Sequence, residues 1–211
     1  MKSYYSNYPE LTAAWVAGNC SRHSYTSKKR MFTEGDCIYS YGGHFCIAVK
    51  WTAPDTKREF FLVTERDYSP TTRTHIKAVV HAIPDHQLVN LPQVDDLSSF
   101  TSTVHTRLVP GHRFNLTGDD ATESDLGMLN LYHEVWNLDE YAGKFLRKRS
   151  SWGGVEHINQ RFESARESVA RFGMTLPARM DSLLDQCRAH HAYREKRNAE
   201  LIANAPNPQY K

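Results

Sequence analysis

The sequence predicts an α+β fold, a small antiparallel β-meander with a packed helix followed by a helical C-terminal half, and three observations carry that expectation. Gly42-Gly43 separates two strand-like runs, Cys37 to Tyr41 and His44 to Trp51, as a tight hairpin turn requires. Ile76, Val79, Val80 and Ile83 then recur at i, i+3, i+4 and i+7, the face of a helix that packs on a sheet. From residue 119 onward the apolar period is helical throughout. The chain therefore divides into a hairpin-containing unit over 1–118, a helical unit over 119–204 and a tail over 205–211 with two prolines, where disorder is expected.

Taken in order, Asn7, Pro9 and Glu10 mark a helix start, Leu11, Ala14 and Trp15 form its apolar side, and Gly18 ends it. Met31-Phe32, the turn Glu34-Gly35-Asp36 and the run Cys37 to Tyr41 shift the period to that of a strand. After the diglycine and His44 to Trp51, the turn Ala53 to Lys57 leads into Glu59 to Thr64 and completes a three-stranded antiparallel meander. Ser69 is placed to cap the next helix and Pro70 to open it; Pro84 closes it. Residues 84–118, punctuated by Pro92, Pro110, Gly111 and Gly118, read as loop with one or two short strands.

In the second half, Met128, Leu129, Tyr132, Val135 and Trp136 form one stripe, and Leu138, Tyr141, Ala142 and Phe145 a second that is out of phase with it, which predicts a kink or break near Asn137. Val155, Ile158, Phe162, Ala165, Val169 and Phe172 make a narrow seam closed by Gly173; such a seam suits either the core of an intramolecular bundle or the interface of a homodimer. A last helix begins near Pro177 with Leu176, Met180, Leu183, Leu184 and Cys187 inward, and past Arg188 its pattern is polar, directed at solvent or a partner.

Composition narrows the classes. Hydrophobic residues are 40% and charged residues 24%, and no apolar run approaches the roughly 20 residues that cross a bilayer, so no membrane partner is expected. The first residues lack the apolar core of a secretory signal, and Cys20, Cys37, Cys46 and Cys187 form no CxxC pair, which together predict a cytoplasmic protein with reduced thiols. A net charge of +2 gives no global field for nucleic acid, so contacts with one would come from local clusters: Lys28-Lys29-Arg30, Arg147-Lys148-Arg149 and the run Arg188 to Arg197. No P-loop, GxGxxG, HExxH or GxSxG occurs, and no His/Cys spacing matches a zinc site; no cofactor and no metal are expected.

Two constellations could carry function. Strand period places Tyr39 and Tyr41 on one face and Ser40 on the other, with His44 leaving the turn, a set that could stack on a base or handle a proton or could simply cover a core. Ser69, Thr71, Thr72 and His75 stand at a helix start, where free N–H groups favour an anion and where the same hydroxyls serve equally as caps. The stretches Tyr39-Ser40-Tyr41-Gly42-Gly43-His44-Phe45-Cys46-Ile47-Ala48 and Tyr68-Ser69-Pro70-Thr71-Thr72-Arg73-Thr74-His75 resemble an uncharacterised family of small proteins carried by bacteriophages and plasmids, over roughly residues 10–85. Cys46 departs from it, standing where the family often has proline or another small residue. The resemblance implies a mobile-element origin and a bacterial cytoplasm, and it brings no activity with it.

Three functions follow as expectations: a non-enzymatic accessory protein that binds a phosphate-bearing partner, nucleic acid above all; a module that inhibits or redirects a host protein; or an enzyme on nucleotides or nucleic acid with His44 and His75 as acid and base. The last requires the two imidazoles to converge.

Overall fold

The structure is a computed structural model that describes residues 2–26, 29–41, 45–66, 69–92, 94, 116, 121–147 and 154–204. It is α+β, with strands in the first half and helices in the second. The chain forms two compact units, Met1–His133 and Glu134–Lys211, and the division falls inside one helix.

The first unit is built on a sheet larger than the expected meander. Seven strands lie in sequence order: β1 Lys2–Tyr5, β2 Cys20–Thr26, β3 Met31–Glu34, β4 Cys37–Ser40, β5 Cys46–Thr52, β6 Glu59–Thr64 and β7 Leu88–Leu91. Strands β2 to β6 pair antiparallel, whereas β1 joins β2 and β7 joins β6 in parallel. Each parallel step crosses over through a helix, α1 (Tyr8–Val16) between β1 and β2, and α2 (Pro70–Ala82) between β6 and β7. The pairings make β1, β2, β6 and β7 run the same way, and both crossovers step in the same direction across the sheet. Right-handed crossovers then put both helices on one face.

That face is the core. Leu11 and Trp15 of α1, Val79 and Ile83 of α2, and Met31, Ile38, Ile47, Phe61 and Val63 of the sheet form one buried cluster. Asn7 caps α1 by accepting the Glu10 N–H at 2.9 Å. Gly18, at φ +71°, lets the Asn19 N–H reach back to the Ala14 carbonyl at 2.8 Å and ends the helix.

The opposite face has two halves. Over β5 to β7 it is buried: Phe60, Leu62, Val89 and Leu91 are at most 1% exposed, and Trp51 donates its indole N–H to the Leu116 carbonyl at 2.8 Å. The helix α3 (Glu123–Arg147) is anchored here by Glu123, bonded to Thr56 and Arg58 of the β5–β6 turn, and by His133, 3.1 Å from Glu65 past the end of β6. Over β1 to β4, Tyr4, Tyr25, Phe32 and Tyr39 stay partly exposed, side by side in the pairing register.

The second unit holds the rest of α3 with α4 (Val155–Ala170) and α5 (Arg179–Ala203). Leu138, Ala142 and Phe145 of α3, Ile158, Phe162 and Ala165 of α4, and Met180, Leu184 and Cys187 of α5 make one buried core. The narrow seam of α4 is thus filled within the chain, the intramolecular alternative. The break expected near Asn137 does not occur: α3 runs from Glu123 to Arg147. The phase change has another cause. Leu126 and Leu129 are buried in the first unit and Leu138 and Ala142 in the second, so one helix presents a different side to each core. The expected turn Gly42-Gly43, residues 95–115 and the tail 205–211 lie outside the described residues.

Candidate functional site

The helix start expected to bind an anion carries a side-chain cap of its own. Ser69, in extended backbone, caps α2 by accepting the Thr72 N–H at 3.1 Å, and the Ser69 and Thr72 hydroxyls lie 3.0 Å apart. Thr72 is 2% exposed. Thr71 is half-buried on the same turn. Pro70 lacks an N–H and Ser69 occupies that of Thr72, so two of the positions an anion would use at this helix start are already accounted for.

One turn further on, His75 is fully buried. Its Nδ1 lies 2.7 Å from the Ser40 hydroxyl, its ring meets Tyr8 edge-on at 4.3 Å between centroids, and Tyr41 lies at 5.5 Å. Burial holds the imidazole below the usual histidine range, and the charge of Arg30 adds to the effect. The ring is therefore neutral at pH 7, with Nε2 lacking a hydrogen-bond partner among the described residues. Ser40 is itself 1% exposed. A hydroxyl and imidazole at this depth tie α2 to β4.

The expected pairing of the tyrosines is corrected by the backbone. Tyr41 has φ +51°, which ends the extended run at Ser40 and swings Tyr41 to the helix side with His75. Tyr39 keeps strand geometry, faces the other way and stacks on Phe32 at 5.1 Å between centroids. Ser40, Tyr41, Thr72 and His75 thus come together, and Tyr39 does not join them. His44 lies outside the described residues, as does any convergence of it with His75. Sequence reading missed Tyr8 and Arg30 as neighbours of His75; Tyr8 stands 67 positions away with no pattern to link them.

A different place gathers the basic clusters. In the second unit, a groove of about 550 Å³ runs between the end of α3 and the outer half of α5. Arg147 comes from the first, and His190, Tyr193, Arg194, Arg197 and Asn198 from the second. On α5 these positions recur at three and four residues, which aligns them on one side of the helix. Three arginines line the groove, and among the described residues no carboxylate does. His190 packs edge-on against Phe145 at 5.9 Å, fixing the floor, while Tyr193 is 62% exposed at the rim. Two segments that are separate in sequence, Arg147 to Arg149 and Arg188 to Arg197, thus contribute to a single electropositive concavity; Lys148 and Arg149 themselves lie outside the described residues.

Among the described residues no group of three His, Cys, Asp or Glu side chains is placed to hold a metal ion, and no helix is long and apolar enough to cross a membrane. Comparison with family models, with curated proteins and with solved structures returns no match.

Proposed function

We propose that this protein binds nucleic acid through the arginine groove of its second unit and does so without catalysing a reaction on it. The observation that carries this reading is the convergence of Arg147, Arg194 and Arg197 with Tyr193 and Asn198 in one concavity that has no carboxylate among its described lining residues. Guanidiniums match phosphate oxygens in pairs of parallel hydrogen bonds, and Tyr and Asn add neutral donors and a stacking surface. The closed His75 cluster supports a structural role there and weakens the acid–base alternative. A cytoplasmic accessory protein of a mobile element, the origin that the resemblance implies, is consistent with such an activity.

The test is titration of labelled single-stranded and duplex DNA and RNA across a salt series. Binding should weaken linearly in log–log form, by about 0.7 to 0.9 per phosphate contact, and the double variant Arg194→Ala/Arg197→Ala should lower that slope by about 1.5. Absence of binding at about 50 mM salt overturns the reading. One observation favours a second reading, docking of a host protein: Leu201 and Ile202 are 62% and 77% exposed near the end of α5. Affinity capture with wild type and Ile202→Lys separates the two, since a host-protein interface there is lost in the variant while nucleic-acid binding persists. With the α4 seam filled internally, a homodimer would need this same apolar end, and sedimentation of the same pair of proteins tests it.

A further inference from the structure

The geometry of the first unit points to a second contact with nucleic acid, and we propose that the open half of the sheet binds unpaired bases by stacking them on Tyr4, Tyr25, Phe32 and Tyr39; this rests on the nucleic-acid reading and names the class, single strands. The four rings come from four adjacent strands, with Tyr4 opposite Tyr25, Tyr25 opposite Phe32, and Phe32 opposite Tyr39. They lie on the face that α1 and α2 leave uncovered, and Tyr4 is 49% exposed. Sheets usually place polar side chains on a solvated face, so a row of aromatics on one marks a surface with a use.

The row is not closed on itself. Phe32 and Tyr39 stack at 5.1 Å with planes 13° apart, and Tyr4 meets Tyr25 edge-on at 6.0 Å. Between the two pairs, Tyr25 and Phe32 flank a hollow of about 370 Å³ whose other walls are His23, Ser24, Lys29 and Thr33. This volume is at the small end of ligand sites, suited to a flat heterocycle rather than to a folded partner. Ser24 and Thr33 bond each other's strand, the Ser24 N–H donating to the Thr33 hydroxyl at 3.1 Å, so the floor is satisfied and rigid.

Charge selects the occupant. Lys29 holds its ammonium 5.5 Å from the Tyr25 centroid, over the ring and at the lip of the hollow. A base inserted beside Tyr25 brings its own phosphate to that lip, where the ammonium meets it. Exposed rings on a sheet with a flanking cation take bases of any identity because every base has a π-face, and they refuse a duplex because its bases are already stacked on one another.

The test uses the full chain, labelled single strands of about 12 nucleotides, and the duplex of the same sequence. In Tyr25→Leu/Tyr39→Leu, which keeps apolar bulk, single-strand affinity should fall about tenfold or more while duplex affinity stays within twofold, whereas Arg194→Ala/Arg197→Ala should weaken both. An unchanged single-strand affinity in the tyrosine variant, alongside loss in the arginine variant, overturns the stacking row and leaves the groove intact. Equal loss for single strand and duplex also overturns it. No binding of either nucleic acid by the wild type removes the groove reading and this one together. If the tyrosine variant fails to fold, photocrosslinking of a 4-thiouridine strand to the wild type decides: adducts within 20–39 sustain the row, and adducts confined to 146–201 overturn it.

Discussion

His75 and His190 both lie on helices beside aromatic rings, yet one is sealed and the other lines an open groove. His75 is wholly buried, bonded to Ser40 and enclosed by Tyr8 and Tyr41. His190 is only half-buried and shares its wall with Arg194 and Arg197. The difference teaches that residue chemistry alone does not mark a site. A histidine among hydroxyls and tyrosines is a stability element when the sheet closes over it, and arginines with no motif can line an open basic groove when two helices leave a gap.

The comparison is sharpened most by His75→Ala, which removes a buried ring and leaves the Ser40 hydroxyl without its partner. Chemical denaturation should show a loss of about 3 kcal/mol in the first unit. Next in size is a pH effect. The folded-state pKa of His75 lies below its unfolded value, so the unfolded chain takes up the proton first. Stability attributable to this group is complete above about pH 6.5 and falls as the pH drops below it, by at most about 1.4 kcal/mol per pH unit until the lowered folded value is passed. His75→Gln should flatten that part of the profile relative to wild type; a parallel profile would mean the ring titrates in the fold as it does in the unfolded chain. Ser69→Ala should cost about 1 kcal/mol through loss of the α2 cap and leave nucleic-acid affinity unchanged, whereas an affinity loss would restore the helix start as an anion site. The smallest effect on stability is expected in the groove: Arg197→Ala should shift unfolding by less than about 0.5 kcal/mol while weakening binding. A large destabilisation there would make the groove a structural feature like the His75 cluster.

What could be read from the sequence follows from where apolar side chains do the work. α2, α4 and the strands β4 to β6 were legible because Ile38, Ile47, Phe61, Val79, Ile158 and Phe162 are among their buried positions at helical or strand spacing. β2 was not, because its inward residues are Ser24 and Thr26, buried at 0% and 1% and satisfied by bonds to the Lys2 and Met31 carbonyls. β1 is a parallel edge strand whose only buried residue is Tyr5, and pairing with a strand across α1 leaves no local signal. Ser69, Thr71, Thr72 and His75 were grouped at the start of one helix, with Ser69 now its cap and His75 one turn further on, but sequence could not tell a cap from a ligand site, since both use the same hydroxyls. The separation of Tyr39 from Tyr41 depended on one positive φ at a tyrosine, which residue type does not announce. The groove was legible only as two basic stretches; their meeting is tertiary.

The sheet's borders have a consequence for the behaviour of the protein in a crowded cell. Among the described residues, both outermost strands, β1 and β7, are four residues long, and β1 is offset against β2 by a register shift between Lys2 and Tyr4. An open border offers unpaired backbone groups to any passing extended chain, and its capacity to recruit one grows with its straight length. Four residues with an irregular register give a poor template, so a seven-stranded sheet with an uncovered aromatic face can remain dispersed instead of adding strands from its neighbours. Lengthening either border into a straight run of six or seven residues would convert that protection into a nucleus for fibrous aggregation.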